Sequence, residues 1–171
     1  MDKNIEIEKK YIILLPGEKE LSSMENYEKS HITQIYLSSE AGITHRVRSR
    51  ERSGKVTYTE TKKIRIDKCS SFEDEREITE EEFFELCKKA RTDSNPVRKV
   101  RHAFLYLGQL FEIDVYPAWK NTAILETELE SREQVVKFPE FLKIVREVTG
   151  ERAYSNASMA KSFPEEDKIH L

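Results

Sequence analysis

Seven stretches of this chain place charged residues at every second position, and that spacing limits the possible fold more than any other feature. The stripes are Glu6/Glu8/Lys10, Arg46/Arg48/Arg50, Tyr58/Glu60/Lys62, Glu73/Glu75/Glu77, Lys99/Arg101, Glu112/Asp114 and Glu126/Glu128. A period of two is that of a β-strand, whose successive side chains point to opposite faces. An ordinary antiparallel sheet turns one such face to water. Here, however, most stripes carry one sign within a strand and change sign between strands, whereas a surface suited to solubility intersperses the signs. The pattern predicts a barrel with a polar lumen, acids on some staves and bases on others, and apolar residues packed outward against helices.

The totals agree with this. With 171 residues, 37% hydrophobic and 36% charged, the chain can bury a core but carries more charge than an outer surface needs. A net charge of -3 hides a segregation: nine Lys or Arg against three acids between Arg46 and Lys68, then eight acids and one Arg from Glu73 to Glu85. This excludes a uniformly basic nucleic-acid binder but allows a local anion site, and aromatics are not interleaved with the basic stripes as single-strand binders require. Cys69 and Cys87 lie too far apart for a Cys-x-x-Cys site, and without a secretion signal in Met1–Lys10 they point to a reducing cytoplasm. The apolar run Tyr11–Leu15 is too short to span a membrane, so neither a membrane nor a nucleic acid is expected as partner; a homodimer stays open. His31, His45, His102 and His170 show no ligand spacing and read as surface or satisfied residues.

In chain order, residues 4–15 read as a strand stopped by Pro16-Gly17, and Glu18 to Tyr27 as a short helix. Strands follow at 32–38, 43–52, 55–66 and 71–78, with Ser53-Gly54 as a hairpin turn. Thr79-x-x-Glu82 is a capping box opening a helix with Phe83, Leu86 and Ala90 at helical spacing. Residues 97–107 and 110–116 form a hairpin around Gly108-Gln109, and 122–130 is the eighth strand. Pro139 to Val148 has the period of an amphipathic helix ending at Gly150, and 155–162 reads as a last short helix. The expectation is one α+β domain over residues 1–171: an eight-stranded antiparallel barrel forming a polar tunnel, with helices outside.

Such a lumen suits a polyanion and its cation. Arg and Lys bind phosphoryl oxygens, Arg through a bidentate fork, while carboxylates hold hard cations such as Mg2+ or Mn2+. Carboxylates alone would repel phosphate, so the cation has to bridge them.

Glu6-Ile7-Glu8-Lys9-Lys10 resembles the Glu-x-Glu-x-Lys signature of the CYTH domain proteins, the triphosphate tunnel metalloenzymes. The likeness continues in order through Gln34-Ile35-Tyr36-Leu37, Arg46-Val47-Arg48, Tyr58 to Lys62, Glu75-Arg76-Glu77-Ile78, Lys99-Val100-Arg101, Glu112-Ile113-Asp114 and Glu126-Thr127-Glu128-Leu129. It ends with Val148-Thr149-Gly150 and Tyr154 to Ala160. The resemblance implies a barrel in which a triphosphate is hydrolysed or cyclised with divalent metal, Mg2+ or Mn2+. It implies that Glu6, Glu8, Glu126 and Glu128, with Asp114 as a further candidate, hold metal, and that Arg46, Arg48, Lys62, Lys99 and Arg101 hold phosphates. Lys10 and Tyr36 would position or activate the attacking water. Glu75 and Glu77 match the family's acidic strand, either in the tunnel or balancing nearby arginines; Arg50, Arg52, Lys63 and Arg65 read as a solvated edge. The expected activity is metal-dependent hydrolysis of a triphosphate, most simply inorganic tripolyphosphate, with nucleoside or thiamine triphosphate as other substrates. The alternatives are a class IV-type adenylate cyclase and a non-catalytic polyphosphate- or nucleotide-binding module.

Overall fold

A computed structural model describes residues 4–168; His170 and residues 1–3 lie outside the described residues. The strands are β1 (Ile5–Leu14), β2 (Glu25–Leu37), β3 (Ile43–Arg52), β4 (Lys55–Arg65), β5 (Ser70–Ile78), β6 (Val97–Tyr106), β7 (Gln109–Val115), β8 (Thr122–Glu128) and β9 (Ile144–Glu147). The helices are α1 (Glu18–Ser22), α2 (Glu80–Cys87) and α3 (Asn156–Lys161), with a 3-10 turn at Arg152–Tyr154. The sheet runs β5-β4-β3-β2-β6-β7-β8-β1 and closes on itself where Ile5, Glu6 and Ile7 pair with Phe72, Ser71 and Ser70. Every pairing is antiparallel. The result is the closed eight-stranded α+β barrel that the stripes predict.

The ninth strand corrects the reading of Pro139 to Val148. That segment makes a turn, with the Leu142 amide donating to the Pro139 carbonyl, and then β9, where Tyr11 and Ile12 pair with Glu147 and Arg146. β1 separates from β5 after Ile7, so its backbone edge needs another partner over Tyr11–Ile13, and the β-branched Ile144 and Val145 suit a strand. The apolar spacing read as a helix face is still buried: Leu142, with Phe138 and Phe141, packs on the outer wall of β1, β6, β7 and β8. Likewise the helix expected over Glu18 to Tyr27 stops at Ser22, because β2 starts at Glu25 to pair with β6.

Apolar residues point outward over most of the barrel and are covered there. Tyr11, Ile13, Phe104, Phe111, Ile113 and Leu125 meet Leu21 and Leu142 on one side. Leu37, Val47 and Ile78 meet Phe83 of α2 on another. The α2 capping box forms as its sequence predicts, with Thr79 Oγ1 accepting from the Glu82 amide and Glu82 accepting from the Thr79 amide. The third cluster differs, since Ile12, Val97, Ile124 and Tyr116 share the parity of the charged stripes and so point inward. Met159, Ala160 and Trp119 cap them, which fills one end of the barrel with apolar side chains and leaves the polar remainder open. The β6–β7 turn falls on Leu107-Gly108, one residue earlier than expected, with both residues at positive φ (51° and 78°) as a type I′ hairpin turn requires.

Candidate active site

The open part of the barrel is a cavity of about 580 Å³. Its walls are charged in opposition. β8 and β3 are separated by four steps around the ring in either direction, as are β1 and β2, so the acids of β1 and β8 face Arg46 and Arg48 of β3 and Tyr36 of β2. Of the residues singled out by sequence, Glu6, Glu8, Lys10, Tyr36, Arg46, Arg48, Glu75, Lys99, Arg101, Glu126 and Glu128 line this cavity.

The acidic wall is crowded. Glu8 and Glu128 stand opposite one another across β1 and β8, and the Glu6 carboxyl lies near Glu73 of β5. Burial, with Glu73 and Glu128 nearby, pushes Glu6 up to about 7 against the pull of Lys63, whose Nζ lies 3.2 Å from Glu6 and 3.1 Å from Glu73. Burial and the charge of Glu126 also push Glu8 up. Glu128 forms no ion pair among the described residues. These are hard oxygen donors under mutual repulsion, which is the chemistry a divalent cation relieves. With Lys10 and Lys63 in place, no three acidic, His or Cys side chains converge in ligating geometry among the described residues. The donor set therefore fits such a cation by its chemistry, and loading requires the lysine pairs to give way.

Deeper in, charges pair completely. Arg101 donates from Nε to Asp114 Oδ1 (2.7 Å), from Nη2 to Asp114 Oδ2 (2.8 Å) and Glu126 Oε2 (2.9 Å), and from Nη1 to Glu112 Oε2 (2.5 Å). Lys99 Nζ lies 2.5 Å from Asp114 Oδ2, and both side chains are almost inaccessible, at 1% and 0%. Burial would raise Asp114, but Arg101 and Lys99 hold it below the usual carboxylate range. Lys10 Nζ lies 2.9 Å from Glu126 and donates to the Tyr154 carbonyl at 3.3 Å; although burial opposes it, Glu126 and Glu8 keep the ammonium charged. Asp114 lies outside the cavity lining, with both oxygens committed to Arg101 and Lys99, which corrects its expected place on the lumen wall.

The basic wall brings a second correction. Lys62 is exposed on the outer face, and it is Lys63 that lines the cavity. The outward face of β4 is instead Tyr58, Glu60 and Lys62, with Glu60 bonded to His45 (2.7 Å) and Arg76 (2.7 Å). Inward lie Thr59, Thr61, Lys63 and Arg65, Thr61 donating to Glu75 at 2.7 Å. A strand read one residue out of step exchanges its two faces, and adjacent lysines hide the error. The available signal was Glu60: an acid beside His45 and Arg76 completes an outer ion pair. Glu77 is exposed and outside the lining, so only Glu75 and Glu73 of that stripe reach the cavity. Arg50, read as solvated, turns inward to donate to Ser30 Oγ (3.1 Å). Arg65 is held at the mouth, donating to the carbonyls of Asp67 and Gly150. Gly150 is needed there, since a Cβ would come within 2.8 Å of the Lys68 carbonyl and φ is +77°.

No family model matches the chain, and no curated protein matches it. Among solved structures, it superposes on the inorganic triphosphatase NE1496 with a TM-score of 0.57 at 25% identity, covering 93% of this chain and 96% of that one. Another structure of NE1496 gives the same score and identity over 93% and 99% of the two chains. The PH1819 protein of Pyrococcus horikoshii OT3 superposes at 0.55 with 20% identity, over 74% and 80%. The closed polar barrel and these superpositions give this chain the fold of the CYTH, or triphosphate tunnel metalloenzyme, proteins.

Proposed function

We propose that this chain, as a single domain, is a divalent-metal-dependent hydrolase of triphosphates, with inorganic tripolyphosphate as its substrate. The observation that carries this is one cavity with carboxylates on β1 and β8 facing guanidinium groups on β3. The likeness to NE1496 supports it. A triphosphate needs its charge neutralised along its length. Arg46, Arg48, Lys63 and Arg65 supply cations for that, the arginines as bidentate forks. A hard cation such as Mg2+ or Mn2+, held by Glu6, Glu8 and Glu128, would polarise phosphoryl oxygens and acidify a water. Lys10, anchored by Glu126 and the Tyr154 carbonyl, and Tyr36, across the barrel on β2, serve as hydrogen-bond donors that orient this water in line with the scissile bond. Water oxygen bonds to the terminal phosphorus as the bridging P–O bond breaks; pyrophosphate is the leaving group, the hydrated phosphoryl group is orthophosphate, and the proton lost by the water passes to solvent.

The lining favours a substrate without a base. Its aromatic residues among the described positions are Tyr36 and Tyr154, both buried at 4% and 8% exposure, so no open ring face awaits a nucleobase. No described helix is long and apolar enough to cross a membrane, and the two free cysteines accord with a cytoplasmic setting. The test is phosphate release from tripolyphosphate, ATP, GTP and thiamine triphosphate with Mg2+ or Mn2+, with and without chelator, alongside a cyclic AMP readout. Metal-dependent release, fastest from tripolyphosphate, is expected; no release from any of the four overturns the proposal.

A further inference from the structure

The outer wall of the barrel is covered by α2 on one side and by the segment around Leu142 on another, but a stretch running from β1 through β5 and β4 to β3 is bare. Ile5 stands opposite Phe72, Phe72 opposite Ile64, and Ile64 opposite Ile43, so four apolar side chains form one row over four adjoining staves. All four point outward, because their sequence neighbours Glu6, Glu73, Lys63 and Thr44 line the cavity. Ile5 and Ile64 are each 45% exposed, and Ile66, two residues past Ile64, is 53% exposed. None of these five residues belongs to an apolar cluster among the described residues.

The contrast lies within single strands. Val47 and Ile78, further along β3 and β5, also face outward and are buried with Phe83 of α2. The row at the other end of the same strands has no such cover among the described residues. A contiguous apolar patch rimmed by charge marks an interaction surface, whereas exposed apolar residues scattered singly do not.

What fits the row is set by the row beside it. There Lys62 of β4 stands opposite Asp74 of β5; both are exposed, and neither forms an ion pair among the described residues. Consider two copies face to face, related by a two-fold axis that runs along the boundary between β4 and β5. Each β4 then lies over the other copy's β5. Ile64 of each copy meets Phe72 of the other, and Lys62 of each meets Asp74 of the other. The surface is complementary to itself in apolar contact and in charge, as a two-fold interface requires. An anionic membrane or nucleic acid would instead leave Asp74 against like charge.

We infer that this face docks on a second copy of the chain, forming a two-fold dimer of packed sheets. A standard interface buries about 800 Å² on each partner, with an apolar centre inside a polar rim. Here the row is the centre, and Lys62 and Asp74 are the rim. None of these side chains lines the active-site cavity, so docking takes nothing from its walls.

Sedimentation equilibrium of the full chain measures the dimer Kd. The wild type should dimerise reversibly, and Ile64→Lys should be monomeric with an unchanged circular dichroism spectrum. Lys62→Asp sets acid against acid at both symmetric contacts, and Asp74→Lys sets lysine against lysine, so each should raise Kd at least about tenfold. Both changes also alter pairing inside their own sheet, and mixing separates the two effects. In an equimolar mixture of Lys62→Asp and Asp74→Lys, both contacts between unlike chains join Asp to Lys, while the like charges within each chain persist. The mixture should therefore form a heterodimer with Kd near that of the wild type. A monomeric wild type, a dimer indifferent to Ile64→Lys, or a mixture no tighter than its components overturns the proposal. A monomeric wild type that floats with phosphatidylglycerol vesicles overturns it too, and gives the face to a membrane.

Discussion

Arg101 and Arg48 are both buried cations on the inner wall of the same barrel, and their surroundings differ completely. Arg101 spends four donor contacts on Asp114, Glu112 and Glu126. Arg48 has none, and burial beside Arg46 and Arg101 pushes it down to about 10. A guanidinium whose donors are all taken belongs to the architecture, because removing a partner strands a charge in a poorly solvated interior. A guanidinium left open has unused binding capacity. Residue type and strand parity are the same in both, so only the neighbours distinguish a strut from a site.

The largest effect expected from this comparison is on stability. Asp114→Ala leaves Lys99 and Arg101 without their main counter-charge and should cost about 3–5 kcal/mol, measured by urea denaturation. A change below 1 kcal/mol in that experiment, on the order of a surface pair, would remove Arg101 from the architecture. Arg48→Met should do the opposite: stability unchanged or higher, with kcat/KM for tripolyphosphate lowered about 10²-fold. Equal losses of stability in both variants would erase the distinction.

The parity of β4 gives a smaller test. Lys63→Ala should lower kcat/KM about tenfold by removing a charge-assisted phosphate contact, while Lys62→Ala stays within about twofold of wild type. The reverse order would restore Lys62 to the tunnel. The mildest effect is on acid stability. Asp114 is held below its unfolded value of about 3.9, so its contribution is present above about pH 4 and is lost as pH falls through the lower folded value. Urea midpoints measured from about pH 6 to about pH 3 should fall in the acid part of the range. Asp114→Asn should flatten that slope, and an unchanged slope would assign the acid sensitivity elsewhere.

Much of the fold was legible because a strand with a charged inner face leaves a period-two trace, as in Glu6/Glu8/Lys10 and Arg46/Arg48/Arg50. The α2 capping box was legible for a similar reason, being a local contact between residues three apart. β9 was not, since its apolar spacing fits a helix and only the exposed edge of β1 makes it a strand. Lys62 and Lys63 were exchanged because adjacent identical residues carry no parity of their own.

The sequence by itself determined the barrel, its polar lumen and the sign of charge on each stave, because strand periodicity and residue charge are local properties. Only the tertiary structure decided which charges neutralise one another and which remain available. Arg101, Lys99 and Asp114 come from two strands and are joined by register across β6–β7, while Glu126 reaches them from β8. Whether a buried ion is spent or open depends on the groups within about 4 Å of it, where Coulomb energy and desolvation are both steep, and those groups come from distant parts of the chain.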